Sequence, residues 1–122
     1  MPEVNRVLLM LKNMVYESTS PLETLRFAKF YKKKGLDVIV ILWGPMGVVL
    51  GKDGKHRGAP EYDKKVKECI ELGVEFKCCQ LAADIIGLKE SELISKVEMI
   101  ESHVVAELFL EFQSKGDLII SL

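Results

Sequence analysis

The chain has 122 residues, of which 48% are apolar and 29% charged. That suits a single domain over 1–122 with one buried core and excludes a fibre, a repeat array or a disordered tail. Its 17 basic and 18 acidic residues nearly cancel, without the basic excess of a protein that grips nucleic acid by its phosphates. No apolar run approaches the ~20 residues that span a bilayer, and Val7 to Leu11 is too short for a signal-peptide core. The expectation is a cytoplasmic protein with no nucleic-acid or membrane partner. Three cysteines, an odd number, argue against a disulfide framework and for free thiols in a reducing compartment.

In chain order, Val7 to Leu11 is the first predicted strand. Ser20 then offers an N-cap, Pro21 suits the first helical position, and Glu23 completes a Ser-x-x-Glu capping box. Lys32, Lys33 and Lys34 favour the negative end of that helix, and Gly35 stops it. Asp37 to Trp43 is an unbroken apolar strand of the kind covered on both faces in the middle of a parallel sheet. Gly44 to Gly58, with five glycines and Pro45, reads as a short apolar excursion at Met46 to Leu50 followed by an exposed loop.

A second helix is predicted from about Pro60 to Leu72, with Tyr62, Val66, Cys69 and Ile70 on its apolar face. Val74 to Cys78 is the third strand. The next helix starts just after Cys79, with Leu81, Ala82, Ile85 and Ile86 as its apolar face and Gly87 near its end. Glu90 to Ser95 forms one further helical turn, and Val97 to Ile100 a fourth strand. The last helix, Val104 to Ser114, carries Val104, Val105, Leu108, Phe109 and Phe112 on one stripe. Leu110 and Ala106 lie off it, an apolar surplus that suggests a subunit contact. Asp117 to Leu122 closes the chain as a fifth strand. This alternation implies an α/β fold, a mostly parallel sheet of about five strands flanked by helices.

The candidate reactive atom is the sulfur of Cys79. It falls where a strand gives way to a helix, and unpaired backbone N–H groups there favour negative charge. A thiol in such a setting ionises more readily, and the thiolate is the nucleophile. Strand alternation puts Cys78 on the face of Val74 and Phe76, so Cys78 reads as core and Cys79 as the residue at the turn. The competing reading makes both cysteines buried fillers, as Cys69 reads on its helix. Adjacent Cys78 and Cys79 cannot easily reach one tetrahedral zinc, so no metal is expected. Gly51-Lys52 and Gly54-Lys55 lack the Ser or Thr of a Walker loop, and no Gly-x-Gly-x-x-Gly follows the first strand. His56 and Arg57 could bind an anion if their loop folds over the site; His103 precedes the last helix and reads as exposed. In open α/β sheets ligands sit outside the carboxyl ends of the strands. Gly44, Met46, Gly47, His56, Arg57 and Gln80 are accordingly the ligand-binding candidates around Cys79.

The run Gly73-Val74, a Cys pair five residues on, then Gln80-Leu81-Ala82-Ala83 and Gly87-Leu88 resembles the DsrE/DsrF-like family. Its sulfur-relay members carry a Cys at the end of the third main strand and a Gly eight positions later, the spacing of Cys79 and Gly87. The apolar second strand with its Gly-rich sequel and the closing Gly116-Asp117-Leu118-Ile119-Ile120 fit the same pattern. The resemblance implies a Rossmann-like three-layer sandwich, assembly as a trimer or hexamer, and sulfur held on Cys79 as a persulfide. Sulfur would come from a donor protein and pass to an acceptor protein, with no cofactor. Whether such a chain counts as a sulfurtransferase or only as a relay subunit is left open. The alternative is a homo-oligomeric module that binds a small anion or nucleotide without catalysis; a third is an interaction protein that docks through its last helix.

Overall fold

β-Branched runs flanked by helical segments bury best as a parallel sheet, because each crossover helix lays its apolar stripe on the strands it connects. A computed structural model describes residues 3–13, 15, 18–55 and 61–122. The elements run β1 (Arg6–Leu11), α1 (Ser20–Lys33), β2 (Asp37–Leu42), α2 (Gly44–Gly47), a 3-10 turn (Val48–Gly51) and α3 (Tyr62–Glu71). They continue with β3 (Glu75–Cys79), α4 (Gln80–Ile86), a 3-10 turn (Glu90–Glu92), β4 (Glu98–Ile100), α5 (Ser102–Ser114) and β5 (Leu118–Ser121). The five strands form one sheet in the order β4-β3-β2-β1-β5, every pair parallel.

Side-chain alternation divides the core in two. Val7, Leu9 and Leu11 of β1, Val38, Val40 and Leu42 of β2, and Phe76 and Cys78 of β3 join the face covered by α1, α3 and α4. Leu8, Ile41 and Ile100 point to the other face, where they meet Val105 and Phe112 of α5. A helix layer, a sheet and a second helix layer are thus packed as the α/β reading requires, with β2 covered on both sides.

One local expectation needs correction. The cap of α1 is Thr19, whose side chain makes no capping bond. Ser20 is already helical and accepts instead from the Asn13 amide at 3.2 Å, so the capping box does not form. The apolar excursion expected at Met46 to Leu50 is helical: Pro45 opens α2, and the following 3-10 turn inserts Val48 and Leu50, both fully buried, into the main core.

The amino ends of β1 and β5 are tied by a charged cluster. Asp117 accepts the backbone N–H groups of Asn5 and Arg6 at 3.1 and 3.2 Å and the Arg6 Nε–H at 2.9 Å. The Arg6 guanidinium also reaches Glu111 at 3.0 Å and lies 4.1 Å above the Phe112 ring. Burial raises the Asp117 carboxyl, but these hydrogen bonds and the Arg6 charge outweigh it and hold it below its ordinary 3.8. A carboxyl depressed in the folded state stabilises fully above its unfolded value and loses that contribution as pH falls through the folded value. The Asp117→Asn protein should therefore show a flatter fall in urea midpoint than wild type between about pH 5 and pH 2. Parallel slopes would remove Asp117 from the acid response.

Candidate functional site

Because every strand runs the same way, the ends Leu11, Leu42, Cys79, Ile100 and Ser121 all lie along one edge of the sheet. Cys79 is both the last residue of β3 and the N-cap of α4, with extended backbone (φ −68°, ψ 119°). It pairs with Ile100 of β4 and is only 2% exposed. Cys78, one residue earlier, has no exposure, and both cysteines belong to the main core cluster, so the expected separation of a core Cys78 from a Cys79 at the turn is not seen; burial, with Cys79 beside it, pushes the Cys78 thiol up to about 12. Burial likewise pushes Cys69 up to about 11; its Sγ–H donates to the Leu25 carbonyl at 3.6 Å. A thiol held protonated is a poor nucleophile. Cys78 and Cys69 pack in the main core.

The wall of the site is α2, which packs against α4. Gly44 enters it with φ +74°, a conformation that glycine adopts without strain. Gly47 is buried against the end of β1: a methyl group there would lie 2.9 Å from the Lys12 Cα and closer still to the Leu11 carbonyl oxygen. Beyond α2 the chain is strapped down. Ile94 N–H donates to Gly51 O and Asp53 N–H to Glu92 O, both at 2.8 Å, and Lys52 bridges Leu93. Lys55, its side chain only 4% exposed, donates to the carbonyls of Leu50 and Lys52 and pairs with Asp63 in the first turn of α3. Asp63 in turn accepts the N–H groups of Gly54 and Lys55 at 2.7 and 3.0 Å. Residues 50–55 are thus anchored to α3 and to residues 92–94.

Of the candidates named from sequence, Gly44, Met46, Gly47 and Gln80 lie on α2 and α4, the two elements next to Cys79. Met46 is 41% exposed, and the Gln80 amide donates to Asp84 at 2.8 Å on the helix surface. His56 and Arg57 lie outside the described residues. His103 is exposed and pairs with Glu101 at 3.2 Å; it stands in the first turn of α5, three residues past Ile100, the β4 partner of Cys79. Sequence reasoning passed over Trp43. Leu42 stands opposite Cys78 across β2 and β3, which brings Trp43 level with Cys79 at the ends of adjacent strands. Trp43 touches both core clusters. Its signal was available: the only tryptophan ends the most apolar strand. Among the described residues no three His, Cys, Asp or Glu side chains gather as metal ligands, and no helix is long and apolar enough to cross a membrane.

The profile of the DsrE/DsrF-like family matches residues 5–122. The chain belongs to that family. Its sheet and helices superpose on the ychN protein from E. coli with a TM-score of 0.86 at 20% identity, covering 98% of this chain and 100% of that one. MTH1491 of Methanobacterium thermoautotrophicum, a protein of unknown function, gives 0.74 at 20% identity over 96% and 98% of the two chains. Identities this low speak for the fold alone. The uncharacterized protein MK0008 of Methanopyrus kandleri is 36% identical over 80 residues, and the match spans 65% of each chain. In this DsrE/DsrF-like chain the Cys-to-Gly spacing frames one helix. Cys79 opens α4, and Gly87 closes it in the left-handed region at φ +72°.

Proposed function

We propose that the chain is a sulfur carrier that holds sulfane sulfur as a persulfide on Cys79. The observation that carries the reading is the position of this thiol. Cys79 alone of the three cysteines stands at the carboxyl edge of the sheet, at a helix start, beside the wall formed by α2. The Cys79 thiolate would attack the outer sulfur of a donor persulfide R–S–SH. The new S–S bond leaves Cys79 as Cys–S–SH, and the donor departs as the thiolate R–S⁻. An acceptor thiolate then attacks that terminal sulfur and Cys79 leaves as thiolate. The outer sulfur moves with no net oxidation, the logic of thiol–disulfide exchange. No step calls on a metal or an organic cofactor.

The near-complete burial of Cys79 fits a carrier better than a free catalyst, because a buried persulfide meets outside thiols only when its cover opens. Loading and discharge then require α4 to shift. That helix is suited to it: only Ala82 and Ala83 anchor it in the core. A homo-oligomer with donor and acceptor proteins as partners, working in the cytoplasm, belongs to the same proposal.

The test is discharge. Wild type loaded from a small-molecule persulfide and freed of excess donor should pass sulfur to a low-molecular-weight thiol, while Cys79→Ser should pass none. Cys78→Ser should retain transfer. Equal transfer by wild type and Cys79→Ser would dismiss the carrier role and leave ligand binding without covalent chemistry.

A further inference from the structure

α1 and α3 pack against each other on one face of the sheet, and a hollow of about 240 Å³ lies between them. Its lining consists of described residues, none of them from β3, α2 or α4, which frame Cys79. The volume is below the ~300 to 1,000 Å³ of drug-sized sites. It matches roughly eight water-sized groups at ~30 Å³ each, so an occupant must be small. The hollow has two kinds of wall. Leu22, Leu25 and Cys69 make an apolar floor, with the Cys69 Sγ–H bonded to the Leu25 carbonyl. Arg26 and Lys29 of α1 and Lys65 of α3 make a cationic rim, and the one carboxylate among them is Glu68.

That rim is short of negative charge. Glu68 meets Lys29 only at 3.7 Å, beyond hydrogen-bond length, and Arg26 shares its charge with Glu23 at 3.2 Å. Among the described residues no carboxylate pairs with Lys65. Both lysines are half-buried, as ammonium groups on stems laid along apolar surface are. Burial is the largest influence on the Cys69 thiol and raises it, yet Lys29 and Lys65 both draw it back. Both charges are therefore felt at the floor.

We propose that the hollow between α1 and α3 binds a small organic anion, a carboxylate on a short apolar body, with its head among Arg26, Lys29 and Lys65 and its body over Leu22, Leu25 and Cys69. A bare inorganic anion would leave the apolar floor unused. A neutral apolar molecule would leave the repulsion between the cations unrelieved. Arginine and lysine bonds to a carboxylate are charge-assisted, roughly twice as strong as neutral ones. The inference is independent of the sulfur chemistry and of any assembly.

The test is a nuclear magnetic resonance titration of isotope-labelled protein with sodium hexanoate. Amide signals of residues 22–29 and 65–69 should shift and saturate with a Kd of about 1 mM. Lys29→Gln/Lys65→Gln, which leaves the floor intact, should keep the rest of the spectrum and bind at least about 10-fold more weakly. Lys65→Gln alone should weaken binding in the same direction if the double variant misfolds. Hexylamine, the same body with the opposite charge, should leave these signals in place. Acetate, the head without the body, should need at least about 10-fold higher concentration. Hexanoate shifts that never saturate, or undiminished binding by the lysine variants, would overturn the proposal. Hexylamine or acetate binding as tightly as hexanoate would overturn it too, by removing the role of the rim or of the floor.

Discussion

Phe112→Ala is expected to destabilise the protein by about 3 to 5 kcal/mol, the usual cost of emptying a fully buried aromatic site. The second face of the sheet has α5 as its cover, and among the described residues its buried cluster is Leu8, Ile41, Ile100, Val105 and Phe112. Phe112 is the largest of these and has no exposure. Its ring also carries the Arg6 guanidinium, so truncation removes a cation–π contact on top of the cavity term. A chain of this size commonly has about 5 to 15 kcal/mol in total, so the variant should be near the edge of folding at 37 °C. Urea unfolding followed by circular dichroism measures it. A loss under 1 kcal/mol would mean that α5 is not seated as described.

Gly47→Ala should cost about 3 kcal/mol, more than a glycine-to-alanine change in a helix, where alanine is ordinarily the better residue. The added methyl meets the main chain of Leu11 and Lys12 rather than a flexible side chain. Neither can step aside without disturbing β1, the strand between β2 and β5. The strain should lift α2 from the sheet edge and loosen the wall beside Cys79. Two readouts follow: a lower urea midpoint and faster labelling of Cys79 by a thiol reagent. A variant at wild-type stability would show that α2 has room to spare over β1. Gly44→Ala serves as a comparison: its φ of +74° carries strain, but a methyl there meets nothing nearer than 3.7 Å.

The strands were legible because β-branched runs of four to seven residues separated by capped helices leave few other packings. The division between Cys78 and Cys79 was not: a period of two predicts opposite faces, but β3 ends at Cys79 and the turn into α4 leaves both thiols buried in the same core cluster. Nor was the inward face of α4: Ala82 and Ala83 are buried, while Leu81, Ile85 and Ile86, expected inside, stand exposed. In a seven-residue helix with five apolar positions, periodicity cannot say which arc faces inward; close packing against α2 and β3 selects the alanines. In the Gly-rich segment the apolar stretch at Met46 to Leu50 was legible but its helix was not: glycine and proline mark turns, yet here they allow α2 to lie on the β1 main chain. The Thr19 cap shows how a shift of one residue cancels a capping box whose side chains are all present.

The most direct measurement is the intact mass of wild type and the three Cys→Ser variants after exposure to a persulfide donor. The account predicts a gain of one sulfur atom in wild type, Cys69→Ser and Cys78→Ser, and none in Cys79→Ser. Sulfur retained by Cys79→Ser, or lost only with Cys78→Ser, would contradict it.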